Sequence, residues 1–186
     1  MNLRNTLPCL TIALSCCSCT TVRQLRDPAS LPADGHATRT RDEHALDYSV
    51  AIHIAAPPLV IWALLVDGPG YKSWNSTIIK LDGAIAPGSE IHLISTDKPD
   101  KTFDLKVSTF DAPKKMVWED GGSMFLGVRN FTLIPVADGT TFAMSETFSG
   151  GMLGMIEGSL PDFTKTFETF AADLKKQAES KAGASH

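Results

Sequence analysis

Asp47-Tyr48-Ser49-Val50-Ala51-Ile52-His53-Ile54 runs directly into Ala55-Ala56-Pro57-Pro58-Leu59-Val60-Ile61-Trp62-Ala63-Leu64-Leu65. The first half alternates: Tyr48, Val50, Ile52 and Ile54 share one face, and Ser49, Ala51 and His53 the other, which is the period of a strand. The second half puts prolines in a first helical turn, where the missing N–H has no partner to lose, and follows them with a stripe of Val60, Ile61, Leu64 and Leu65. Asp67-Gly68-Pro69-Gly70 ends that stripe, so the helix is short, about three turns. A domain therefore opens at Asp47 with a strand followed by a short helix.

Downstream, extended runs are separated by turn signals: Ile78 to Leu81, Glu90 to Ser95, Thr102 to Phe110, Lys115 to Glu119, Val128 to Pro135 and Thr140 to Phe148. The separators, such as Ala86-Pro87-Gly88, Asp111-Ala112-Pro113 and Asp138-Gly139, are too short for crossovers and suit hairpins. The sheet they predict is antiparallel. Phe163, Phe167, Phe170, Ala171, Leu174 and Ala178 then recur at helical spacing after Ser159-Leu160-Pro161-Asp162, a capping-box-like start, and predict a C-terminal helix of about 20 residues. The class is α+β. Residues 47–180 form the domain and 181–186 a frayed tail, while residues 20–46, with Pro28, Pro32, Gly35 and four arginines but no sustained period, read as a flexible tether.

Residues 1–19 are of another kind. All four cysteines, Cys9, Cys16, Cys17 and Cys19, fall there, leaving the domain without disulfide, thiol nucleophile or Cys-ligated metal. Arg4 followed by the apolar run Leu7 to Leu14 has the layout of a signal peptide and is too short to span a bilayer. Ala13-Leu14-Ser15-Cys16 resembles the end of a bacterial lipoprotein signal, with Cys16 the first choice for acylation and Cys17 or Cys19 the alternatives; a plain secretory signal is the simpler reading. The lipoprotein reading places the protein in the bacterial cell envelope, anchored through its N-terminal lipid and facing the periplasm. The 186 residues are 43% hydrophobic and 20% charged with a net charge of -4, and Lys and Arg are scattered, so the basic footprint of a nucleic-acid partner is absent.

The order of strand, short helix, six strands and long C-terminal helix resembles the helix-grip fold of the START-like superfamily. Particular strings carry the likeness. Ile52 to Pro58 running into Val60 to Leu65, then Tyr71-Lys72-Ser73-Trp74-Asn75, is similar to the opening of the SRPBCC, or polyketide cyclase/dehydrase and lipid-transport, family. Pro87-Gly88, Asp138-Gly139-Thr140 and Ser145-Glu146-Thr147-Phe148-Ser149-Gly150 sit where that family has similar strings. The resemblance covers about residues 47 to 180. It implies a curved antiparallel sheet of six or seven strands wrapped around the long helix, with an apolar cavity between them for a small hydrophobic molecule. Since the family has lipid carriers, receptors, cyclases and dehydratases but no common catalytic motif, the fold alone does not choose a function.

Alternation then selects the residues facing such a cavity. Phe142, Met144 and Phe148 share a face with Glu146, and Phe131 and Leu133 share one with Arg129. If Asp138-Gly139 is a two-residue turn, Phe131 lies opposite Glu146 and Arg129 is its diagonal neighbour. An acid and a base in an apolar cavity read either as an anchor for a ligand carboxylate, hydroxyl or carbonyl, as a general acid, or as a plain structural ion pair. Phe103, Leu105 and Trp118 form the candidate wall, Trp74 a rim or packing contact, and Phe163 and Phe167 the helical side, each also readable as simple core. The glycine-rich run Ser149 to Gly158, with Met152 and Met155, reads as a lid or as a connector. The five histidines show no metal-ligand spacing, no nucleophile elbow is present, and no cofactor is implied. One acid and one cation in an apolar wall favour a membrane-tethered binding module over multistep chemistry. A cyclase or dehydratase using Glu146 as general acid or base is the alternative.

Overall fold

The computed structural model describes residues 28–184. The cysteines singled out for acylation lie outside the described residues. Eight strands form one antiparallel sheet: β1 (Thr38–Arg41), β2 (Ala45–Ile54), β3 (Ile78–Asp82), β4 (Glu90–Ser95), β5 (Phe103–Asp111), β6 (Lys115–Gly122), β7 (Phe125–Val136) and β8 (Gly139–Ser149). Their spatial order is β1-β2-β8-β7-β6-β5-β4-β3, so among the described strands β2 with β8 is the one long-range pairing and every other neighbour is a hairpin partner. Between β2 and β3 stand α1 (Pro58–Val66) and the single turn α2 (Tyr71–Trp74). After β8 come a turn α3 (Leu153–Ile156) and the long α4 (Thr164–Gly183). This is the helix-grip arrangement.

The sheet curls because one face is packed on α4. Phe167, Phe170, Ala171, Leu174 and Ala178, the stripe that predicted the helix, are its buried residues. Phe170 lies 6.2 Å from Phe142, 6.0 Å from Phe131 and 6.2 Å from Tyr71, centroid to centroid, tying helix, sheet and α2 together. Each buried Phe or Leu of this stripe contributes about 1.5–3 kcal/mol of apolar burial, while α4 has charged residues on its other side, so packing rather than propensity holds it in place. The helix starts later than the sequence predicts. Ser159 sits in a turn and returns its hydroxyl to the Ile156 carbonyl at 2.7 Å, and it is Asp162 whose carboxylate accepts from the Thr164 amide and hydroxyl at 3.0 and 2.6 Å. Those two bonds hold the Asp162 carboxyl below its ordinary range.

Three expectations are corrected. The sheet has eight strands, not six or seven, because β1 arises within the stretch read as a tether. Thr38-Arg39-Thr40-Arg41 has no apolar face to announce a strand, yet it pairs with residues 46–49 of β2. Arg39 also donates to the Tyr48 hydroxyl at 3.1 Å, and Arg39 and Arg41 both bond Glu157 at 3.0 and 2.7 Å. Upstream of β1, Asp34 bridges to Ile52, and Pro28–Ser30 form a 3-10 turn. Second, α4 continues to Gly183, through part of the stretch read as a tail.

The third correction concerns register. Asp138-Gly139 is not the turn; Val136 pairs with Gly139 and the turn residues are Ala137 and Asp138. Gly139 has φ of 150°, and a Cβ there would stand 2.2 Å from the Ile54 carbonyl oxygen, so this close passage of β8 beneath the end of β2 needs glycine. The pairing is displaced by two residues from the sequence reading. A shift of two leaves every side chain on its predicted face and moves only the partners, so Arg129 stands directly opposite Glu146 and Phe131 opposite Met144.

Candidate ligand cavity

The pairings resolve the concave face into transverse rows. Met116, Phe131, Met144 and Val50 form one row, which is apolar and buried. The next is polar: Val107, Trp118, Arg129, Glu146 and Tyr48. Beyond it come Asp120, Gly127, Phe148 and Leu46. The first row lies under α4. Towards the third the helix has not yet begun, the roof is the irregular segment Ile156–Phe163, and Gly127 contributes no side chain. Space is left there, a cavity of about 360 Å³. A Cβ on Gly127 would meet Phe148 at 3.4 Å and the Glu146 Oε1 at 3.8 Å, so the absent side chain is part of the cavity.

Its walls are Phe103 and Leu105 of β5, Trp118 and Asp120 of β6, Phe125 and Arg129 of β7, and Glu146 and Phe148 of β8; Ile156, Leu160 and Phe163 close the top. The roof is pinned from two sides. Lys98 donates to the Ser159 carbonyl at 3.2 Å and Thr166 to Asp97 at 2.8 Å, while Glu157 is held by Arg39 and Arg41. The two guanidinium groups keep the Glu157 carboxyl below its ordinary range.

The polar row carries the chemistry. Arg129 donates from Nε at 3.0 Å and from Nη2 at 2.5 Å, both to the Oε2 of Glu146, and the side chains are only 16% and 13% exposed. The guanidinium also lies 5.6 Å from the Phe167 ring centroid. Among the described residues, Arg129 Nη1 and Glu146 Oε1 have no hydrogen-bond partner. Beside them the indole Nε1 of Trp118 is buried and has none either. An orphaned buried donor costs about 1–3 kcal/mol, and among the described residues the indole is the fully buried side-chain atom of the cavity lining left without a partner. Asp120, on the same wall, has its carboxyl pushed up by burial, with Lys101 opposing the shift and Asp104 adding to it. Tyr71 serves the frame: its hydroxyl donates to the Leu65 carbonyl at 2.9 Å, and burial raises its phenol.

Of the residues proposed from sequence, Phe103, Leu105, Trp118, Arg129, Glu146, Phe148 and Phe163 come together on this cavity. Phe131, Phe142 and Met144 share the concave face but are packed under α4 as core, and Phe167, on α4 itself, is core as well. Trp74 packs against Tyr71 at 4.8 Å and Phe170 at 5.9 Å, away from the cavity lining. Met155 is 80% exposed, and Met152 joins the roof to the β6–β7 hairpin through its amide, which donates to the Met124 carbonyl at 2.9 Å; Ile156 is the residue of that run that reaches the cavity. Asp120 and Gly127 were missed. Asp120 continues the alternation of Met116 and Trp118, but Gly121-Gly122 looks like a turn and cuts the strand short in a sequence reading. His53 and His92 bond Asp138 at 3.1 Å and Asp104 at 2.7 Å on the surface, and the described residues contain no cluster able to hold a metal ion.

Comparison with known proteins agrees with this geometry. The family described as polyketide cyclase / dehydrase and lipid transport matches residues 45–179. No curated protein matches the sequence. Among solved structures, a protein from Mesorhizobium loti is 19% identical with a TM-score of 0.56, covering 72% of this chain and 97% of that one. A START superfamily protein from Mycobacterium smegmatis is 17% identical with a TM-score of 0.51, covering 74% of this chain and 99% of its own. The di-domain ARO/CYC BexL, of the BE-7585A biosynthetic pathway, is 11% identical with a TM-score of 0.57; the match covers 75% of this chain and 52% of BexL. At these identities the likeness is one of fold.

Proposed function

The chain belongs to the polyketide cyclase / dehydrase and lipid transport family, and from that premise we propose that it binds a small lipophilic molecule in the cavity between its sheet and α4. The observation that carries this reading is the cavity itself. About 360 Å³ falls within the size range of small-molecule sites, its wall is mainly aromatic and aliphatic, and one row of that wall holds the Arg129–Glu146 pair. Nothing in that row resembles a nucleophile with its base, so the polar groups serve orientation. The protein is exported and acylated at Cys16, or at Cys17 or Cys19, so that the binding module sits at a membrane, where lipophilic molecules partition. Multiple acyl chains are required for a stable anchor, since one short chain holds only marginally.

Mass spectrometry of small molecules carried through native purification tests the binding reading, with a lipophilic compound recovered at near one per chain as the expected result. Protein that emerges empty and takes up no hydrophobic probe would contradict it. Labelling with a radioactive fatty acid tests the anchor. Incorporation that persists after Cys16, Cys17 and Cys19 are all replaced rules it out.

A second reading has one observation in its favour. The Asp120 carboxyl, raised by burial, stands on the same wall as Glu146, the arrangement a general acid needs for cyclisation or dehydration of a polyketide-like substrate. Glu146→Gln separates the two. A binder loses about 1–3 kcal/mol of affinity and returns its ligand unchanged. An enzyme with Glu146 as its acid or base loses about 100-fold in turnover with little change in substrate binding.

A further inference from the structure

We infer that the four-residue edge strand β1 is a strap over the cavity: its two arginines hold the roof shut, and its release from β2 lets a ligand exchange. The inference rests on the binding reading above and adds to it the way in and out.

The roof is weakly held by its own packing. From Gly154 to Thr166 no residue is buried, and Ile156, Leu160, Pro161 and Phe163, which line the cavity, are each partly exposed. A segment with so little apolar burial opens locally at a cost well below that of global unfolding. Polar contacts from other elements therefore decide whether it stays down. On one side Lys98 reaches the Ser159 carbonyl from the loop between β4 and β5. On the other both carboxylate oxygens of Glu157 are taken, Oε1 by Nη2 of Arg39 at 3.0 Å and Oε2 by Nε of Arg41 at 2.7 Å.

The alternation of β1 delivers those two guanidinium groups. Arg39 stands opposite Tyr48 and Arg41 opposite Leu46, so they extend the polar row and the Phe148 row of the concave face out to the sheet edge. Thr38 turns the other way and meets the Ser49 hydroxyl at 2.9 Å. Just upstream, the Ala37 amide donates to Glu168 of α4 at 3.2 Å, so the same arm also ties down the start of the long helix. Yet β1 is the one strand of the described sheet with no buried residue. Paired along a single edge and without an apolar side chain, it can peel away while the core stays intact. It also precedes residue 45, where the family match begins, so the strap belongs to this chain and not to the shared fold.

Arg39, Arg41 and Glu157 are not among the residues lining the cavity. They have no contact with an occupant, so they can change how fast the roof opens without changing what the ligand touches once it has closed. Weakening the strap should then raise the association and dissociation rates together and leave affinity nearly alone.

Stopped-flow binding and displacement of N-phenyl-1-naphthylamine, a neutral probe that fluoresces in apolar surroundings, tests this on the full-length chain with Cys9, Cys16, Cys17 and Cys19 replaced by Ser. In Glu157→Gln both rates should rise about 10-fold or more, with Kd within about threefold of the parent. Thr38→Cys combined with Ser49→Cys, at directly opposed positions, staples β1 to β2. Oxidised, this protein should exchange probe about 10-fold more slowly than the parent, and reduction should restore the rate. Rates within about twofold of the parent in either variant would overturn the strap. So would faster dissociation alone with a matching loss of affinity in Glu157→Gln, the mark of a merely structural contact. Either result leaves the cavity a binding site. If the parent protein does not bind the probe, the binding reading itself fails and takes the strap with it.

Discussion

Replacing Glu146 by Leu should destabilise the protein far more than replacing Glu146 and Arg129 together. The single change removes both charge-assisted bonds to Oε2 and leaves the Arg129 guanidinium in a position that is 16% exposed. Breaking a buried pair costs about 3–5 kcal/mol when the surviving charge has no other support. Here the Phe167 face and the adjoining cavity supply some support, which lowers the expected cost to about 2–4 kcal/mol. Arg129→Met combined with Glu146→Leu removes both charges at similar volume, and such a swap is close to neutral, within about 1 kcal/mol of the parent. The coupling in a double-mutant cycle should therefore be at least about 1 kcal/mol, and larger by whatever Arg129→Met costs alone. For a domain of this length the single Glu146→Leu change corresponds to a Tm lower by about 5–15 °C. Urea unfolding of the four proteins measures the cycle, with thermal scans as the second reading. A single variant within 0.5 kcal/mol of the parent would refute the reasoning about the pair, and so would two single effects that simply add.

Two further predictions follow from the same wall. Asp120 binds its proton more tightly when folded than when unfolded, so between its ordinary value of about 3.9 and its raised folded value the native state holds more protons and stability falls as pH rises. Asp120→Asn should lack that fall, so the Tm difference between variant and parent should grow in the variant's favour across this window and then level off; parallel Tm-against-pH curves would contradict it. Gly127→Leu should fill the cavity while the sheet survives, since a Cβ there meets only ordinary contacts. Binding of a hydrophobic probe should weaken about 10-fold or more, and unchanged binding would place the ligand elsewhere.

Sequence by itself determined the order of the elements and the face each side chain takes. Both depend on local periodicity, and a strand's alternation or a helical stripe is written within ten or twenty neighbouring residues. Arg129, Glu146, Trp118 and Phe148 were therefore legible as concave-face residues, and the stripe from Phe167 to Ala178 as the buried side of α4. Tertiary structure decided what periodicity does not encode. The hairpin closes at Ala137-Asp138 instead of Asp138-Gly139 because Gly139 must pass under the Ile54 carbonyl, and a displacement of two residues leaves the pattern of faces unaltered. The all-polar β1 is held by pairing to β2 and by ion pairs to a residue over a hundred positions away, neither of which leaves a local signal. Most consequentially, the cavity lies where a glycine in β7 and the late start of α4 coincide, so that Phe148 and Trp118 border it while Phe131 and Phe142 on the same face are enclosed by core. Whether an inward residue meets a helix or a void is settled by the sum of volumes brought together from distant segments.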